Sequence, residues 1–173
     1  MIGMATTAPQ SGSWYIVTAL VENKPGVLFR VTNLFRARSF NIESITVGST
    51  EQKDLSRMTI TTNSDERTLD QLVKQLRKLI DVVEVKVLDT EKTVYRELAL
   101  IKMKAVDPTT RSEIINYSTI FRGNILDIGK ETITVEITGT PDKIDAFRNL
   151  VEPYGITQLS RTGVSALPRG VEV

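Results

Sequence analysis

The chain contains no cysteine and no histidine. Their absence removes disulfides, Cys/His zinc sites, a thiolate nucleophile and an imidazole base working near neutral pH, which is most of the common catalytic machinery. Charge of one sign is also missing. Lys and Arg number 22 against 21 Asp and Glu, a net of +1, so no overall field draws in nucleic acid or anionic lipid. No run of about 18 apolar residues occurs, and nothing is expected to span a membrane. Glycine-rich phosphate cradles of the GxxxxGK[ST] or GxGxxG type are absent too. Residues 1–13, MIGMATTAPQSGS, lack the basic segment and long apolar stretch of a secretory signal. They read as a flexible leader, and a cytoplasmic protein is the expectation.

What remains is an ordinary globular composition, 40% hydrophobic and 25% charged over 173 residues, with room for one medium domain or two small ones. WYIVTALV from Trp14 is apolar on both alternations, as in a central strand. Asn23-Lys24-Pro25-Gly26 breaks it. Val27, Leu28, Val31, Leu34 and Phe35 then recur at helical spacing, with Arg30, Arg36 and Arg38 on the remaining face, up to about Ser39. NIESITVGST from Asn41 and LSRMTITT from Leu55 form a hairpin around a polar turn. Asn63 to Glu66 opens a helix carrying Leu69, Leu72, Val73, Leu76 and Ile80, and VVEVKVL from Val82 is the fourth strand.

The order then recurs. A polar connector at 89–95 leads to a strand in RELALIKMKA. Asp107-Pro108 starts a helix, strands flank Gly129, Thr140-Pro141 starts another helix, and a last strand ends near Arg161. The pattern predicts an α+β chain of two consecutive ferredoxin-like βαββαβ units, 14–88 and 96–163, each an antiparallel sheet with two helices on one face. Residues 164–173 contain Gly170 and Pro168 and read as an irregular tail.

Chemistry-bearing groups are few. Asp142 and Asp145 share a helix face, and Asp65 and Glu66 stand at a helix start, where acids are favoured by the dipole in any case. RNA-recognition domains share the βαββαβ order, but the strands LSRMTITT and TITVEIT lack the aromatics that stack on bases, so no nucleic acid is expected. The segment Asn23 to Leu28 is more informative. A strand ends and a helix begins there, so open backbone N–H groups meet an approach left clear by Gly26, which suits a small anion such as a free amino acid's carboxylate. On these residues alone, Pro25-Gly26 as a plain strand-to-helix turn is the preferred reading.

Here the residues become familiar. LVENKPGVLFRVTNLFRARSFNIESITVGSTEQKDLSRMTI resembles the N-terminal ACT domain of the acetohydroxyacid synthase (acetolactate synthase) regulatory small-subunit family. RELALIKMKA, IFRGNILDIG, TGTPDKIDAF and RTGVSALPRG resemble the rest of that family in the same order, so the likeness runs from Trp14 to about Gly170. The resemblance implies a non-catalytic homodimer that activates a separate catalytic subunit and confers feedback inhibition by a branched-chain amino acid, valine first. It also implies that thiamine diphosphate, magnesium and FAD belong to the catalytic partner, with no cofactor or metal in this chain. Carried over residue by residue, it makes Asn23, Gly26, Val27 and Leu28 one half of an effector site. Asn41 and Ile42 of the neighbouring subunit make the other half. Backbone N–H groups and the helix dipole would take the carboxylate, the Asn oxygens the ammonium, and Val27, Leu28 and Ile42 the aliphatic side chain. The alternative expectation is a free-standing ACT-type amino-acid sensor acting on another protein.

Overall fold

The computed structural model describes residues 13–170; the greater part of the expected leader, residues 1–12, lies outside the described residues. The described residues divide into two compact units, 13–93 with 168–170, and 94–167. Both take the βαββαβ order expected from the pattern.

In the first unit, β1 (Ser13–Glu22), β2 (Ser44–Ser49), β3 (Leu55–Ser64) and β4 (Val82–Leu88) form an antiparallel sheet in the order β2-β3-β1-β4. Strand β1 is buried on both alternations, Ile16 and Thr18 as well as Val17 and Ala19, which explains its continuous apolar run. Helices α1 (Val27–Ala37) and α2 (Glu66–Leu76) supply Val27, Val31 and Phe35, and Leu69, Leu72, Val73 and Leu76, to one core with Val17, Ala19, Val21, Met58, Ile60 and Val85. Those are among the i, i+3, i+4 positions read from the sequence; Leu28 is instead exposed, and Ile80, expected on α2, lies beyond its end and is almost fully exposed. Helix α1 ends two residues earlier than expected. Ser39 takes a left-handed φ of 56°, and Phe40 N–H returns to Phe35 O, closing the helix before Ser39.

Strand β2 is shorter than the expected Asn41 to Thr50. Residues 41–43 are tied to β3 without continuing the ladder: Thr62 Oγ1 donates to Asn41 O at 2.7 Å and Glu43 N–H to Thr61 O at 2.9 Å.

The second unit contains β5 (Thr93–Lys104), α3 (Pro108–Ile120), β6 (Asn124–Ile128), β7 (Thr132–Gly139), α4 (Pro141–Val151) and β8 (Ile156–Arg161). Its strand order is β6-β7-β5-β8. Its core gathers Ala99, Ile101, Met103, Ile133, Val135 and Ile137 from the sheet and Ile114, Ile144, Phe147 and Val151 from the helices. Two differences from the sequence pattern stand out. A 3-10 turn at Thr90–Lys92 lets β5 start at Thr93, inside the expected connector. Ser165–Pro168, read as irregular tail, forms β9 and pairs with β5. A four-residue strand bounded by Gly163 and Gly170 has no periodicity long enough to see.

Candidate functional site

The candidate site begins at the end of β1. Asn23 N–H donates to Asp54 O at 2.8 Å, fixing the turn to the start of β3, and Lys24 pairs with Glu22 at 2.8 Å. That hydrogen bond to Glu22 holds the Lys24 ammonium above its ordinary pKa. Gly26 then adopts φ 86°, the left-handed region that L side chains rarely enter, and serves as N-cap of α1. Val27 N–H reaches only Lys24 O at 3.4 Å, and the first well-formed bond into the helix is Arg30 N–H to Gly26 O at 3.0 Å. The first-turn N–H groups lack intrahelical partners by geometry, and a glycine cap has no side chain to offer them.

The other three helices handle the same problem internally. Asp65 caps α2 by accepting from Thr68 N–H at 2.8 Å, with Glu66 in the first turn. Asp107 caps α3 by accepting from Thr110 N–H at 2.9 Å, and these bonds hold both carboxyls below their usual pKa. Helix α4 has Pro141, which removes one N–H, and Asp142 in its first turn. Among the four α-helices of the described residues, α1 alone has neither a side-chain cap bond nor an acid or proline within its first turn. Its N-terminus is the natural place for an external anion.

The expected site residues divide by position. Asn23, Gly26 and Leu28 are exposed at this turn, whereas the Val27 side chain is buried in the core and can offer the site its backbone. Asn41 is exposed and Ile42 half-buried against the same core. Glu22 pairs with Leu55 at one end of the sheet, while Asn41 accepts from Thr62 near the other, where Ser13 pairs with Ser64. The 11 residues of α1 separate these ends, a length of about 16 Å. One chain therefore does not bring Asn41 and Ile42 to the turn. A surface hollow of about 780 Å³ lined by Tyr15, Leu69, Val73, Arg77 and Val87 shares no residue with it.

Sequence reasoning left Arg30 on the polar face of α1 and singled out Asp81 not at all. Arg30 Nε donates to Asp81 Oδ2 at 2.6 Å, and Arg30 Nη1 lies 3.3 Å from where a Cβ on Gly26 would stand. The i to i+4 spacing from Gly26 to Arg30 was a signal for the second relation; nothing local pointed to Asp81.

In the second unit, one of the candidate carboxylates, Asp145, does structural work. Asp145 accepts from Arg161 Nη1 at 2.6 Å, and Arg161 Nη2 pairs with the buried Glu97. Burial of Arg161, which alone would lower its pKa, is outweighed by these bonds, so the guanidinium is held above its ordinary value. Gly123 of IFRG has no room for a Cβ, which would meet the Ile137 side chain and stand 2.8 Å from Glu136 O. No group of three or more Asp and Glu among the described residues is placed to hold a metal ion, and no helix among them is long and apolar enough to cross a membrane.

Comparison with known proteins agrees with this architecture. Residues 17–84 match the family model of the AHAS small subunit-like ACT domain, and residues 96–170 that of the small subunit of acetolactate synthase. The chain is 52% identical over 156 residues to a probable acetolactate synthase small subunit of Methanothermobacter thermautotrophicus, covering 90% of this chain and 93% of that protein. This chain belongs to the acetolactate synthase small-subunit family. The small subunit of Mycolicibacterium smegmatis is 47% identical over 90% of this chain and 91% of its own. The crystal structure of the Thermotoga maritima small subunit superposes with a TM-score of 0.85 at 42% identity, covering 92% of this chain and 99% of that one. The first unit of this small subunit is thus an ACT domain, as the turn and the FNIES and LSRMTI segments suggested.

Proposed function

We propose that this small subunit is a non-catalytic regulator that activates an acetolactate synthase catalytic subunit and inhibits it when valine, or a closely related branched-chain amino acid, is abundant. Thiamine diphosphate, magnesium and FAD would be held by the catalytic partner, in the cytoplasm. The observation that carries the regulatory site is the separation of its halves. Asn23 to Leu28 and Asn41 to Ile42 lie at opposite ends of the helix-covered layer, so a complete site needs a second copy. Strand β2 is the sheet edge next to Asn41 and pairs only with β3, with Val47 half exposed. Antiparallel pairing of two β2 edges about a two-fold axis would bring the Asn41 end of one chain to the Gly26 end of the other, and would satisfy an otherwise open row of backbone groups.

The energetics of feedback follow from linkage. An effector inhibits only by binding the less active form of the assembly more tightly, with a typical coupling of about 1–3 kcal/mol. Valine, leucine and isoleucine differ by a methylene or its placement, a discrimination of about 1–3 kcal/mol in a small apolar pocket. Titrating the catalytic subunit with this chain, with and without valine, is the test. Acetolactate production should rise with added small subunit and fall when valine is added. An unchanged rate would point to a sensor acting on another protein, and turnover by the pure chain would overturn the non-catalytic reading.

A further inference from the structure

The charged groups around the start of α1 carry a more specific reading. Arg30 stands one turn into the helix, and its Nε donates to Asp81 Oδ2 at 2.6 Å. The Asp81 side chain is only 9% exposed, and its backbone O accepts the Glu22 N–H at 2.9 Å, so it is part of the framework between β1 and β4. This framework grips the guanidinium through Nε. The Arg30 side chain is 45% exposed, and its Nη1 reaches to 3.3 Å from the Cβ position of Gly26. A guanidinium presents five N–H donors in a rigid fork. With Nε engaged, Nη1 stands beside Gly26, the N-cap of α1, where the N–H groups of Leu28 and Phe29 have no intrahelical acceptor. Nearby, Lys24 is paired with Glu22, so Arg30 is the cation that the framework aims at the turn.

We propose that Arg30, oriented by Asp81, is the cationic anchor of the effector: Nη1 donates to its carboxylate beside the first-turn N–H groups of α1. This rests on the reading of the turn as an amino-acid site and adds a residue and a selection rule to it. A charge-assisted bond of this kind is roughly twice as strong as a neutral one. The site therefore selects a free carboxylate. An amide of the same amino acid offers the same side chain and ammonium but no anion, and is refused. Glycine at position 26 is required twice over, for its backbone conformation and to keep a Cβ from standing between guanidinium and ligand.

Calorimetric titration of the full chain with valine and with valinamide tests the anchor. The wild type should bind valine at least about tenfold more tightly than valinamide. The double variant Arg30→Gln/Asp81→Asn exchanges the ion pair for a neutral amide pair and leaves no buried carboxylate unpaired. Its valine affinity should fall to near that for valinamide, so that the ratio approaches one. Arg30→Gln alone, at an exposed position, should give the same collapse of the ratio, and Arg30→Lys, which keeps the charge without the fork, an intermediate one. A wild-type ratio retained in any folded Gln variant overturns the anchor and leaves the amino-acid site standing. A wild-type chain that binds neither compound, alone or with its catalytic subunit, overturns the reading of the turn and the anchor with it.

Discussion

The two units repeat one topology and treat the same two features in opposite ways. In the second unit the helix that follows the first strand is capped by Asp107, whose carboxylate occupies the helix N-terminus. There too Arg161 is saturated by two carboxylates, Glu97 and Asp145. In the ACT unit the corresponding helix begins at a bare glycine, and Arg30 meets a single carboxylate through one edge of its guanidinium. The second unit caps its helix and surrounds its arginine with its own carboxylates; the first leaves the helix terminus without a side-chain cap and gives Arg30 one carboxylate, Asp81. A repeated framework can thus carry a side-chain cap at one helix start and a bare glycine at the other, the difference on which the proposed anion site rests.

The comparison can be broken hardest in the second unit. Arg161→Met should cost about 3–5 kcal/mol, because it strands the carboxylate of Glu97, only 4% exposed, without a partner. Urea denaturation would measure it, and a loss below about 1 kcal/mol would mean that the pair behaves as a surface bridge. Phe35→Ala and Phe147→Ala remove fully buried rings from the two cores and should each cost about 3–5 kcal/mol. A loss below about 1 kcal/mol for either variant would mean that its ring is not part of a close-packed core.

Gly26→Asp has a smaller but functional effect. Its Cβ would stand 3.3 Å from Arg30 Nη1, placing a carboxylate where the effector's should lie. Valine affinity should drop by about tenfold or more, equivalent to about 1.4 kcal/mol, while activation of the catalytic subunit persists. The variant makes the ACT unit resemble the second unit by giving it a built-in anion. Unchanged inhibition by valine in a folded variant would place the effector elsewhere.

The smallest effect is in acid. The folded-state pKa values of Asp65 and Asp107 lie below the ordinary carboxylate value, through hydrogen bonds from Thr68 and Thr110. Their contribution to stability is present above the unfolded-state pKa, about 3.9, and fades as pH falls through the lowered folded value. Asp107→Asn keeps an N-cap that does not titrate, so it should lose less stability between pH 5 and pH 2, roughly the span of that titration. An identical acid profile would rule out this linkage.

Much of the fold was legible because the chain states it twice. The 3.6-residue rows Val27, Val31, Phe35 and Leu69, Leu72, Val73, Leu76 are the faces that the core receives, and Pro108 and Pro141 mark helix starts. Boundaries were less legible where tertiary hydrogen bonds decide them, as at Asn41, held outside the ladder by Thr62. Strand β9 is too short to carry a period. Gly26 was readable as the glycine at a strand-to-helix turn, where the structure places it as the N-cap of α1. The ion pair of Arg30 with Asp81 was not, because the two are 51 residues apart and nothing but the folded chain joins them.

A mixed dimer tests the central claim, a site completed by two copies, most directly. One protomer carries Gly26→Asp and the other Asn41→Ala, co-expressed with different tags and purified through both. If each site takes the turn from one chain and Asn41 from its partner, one of the two sites in the mixed dimer carries both lesions and the other carries neither. Calorimetry should then find one valine bound per mixed dimer at wild-type affinity, with both mutant homodimers impaired. If the mixed dimer binds as poorly as its parents, the site lies within a single chain and the account is wrong.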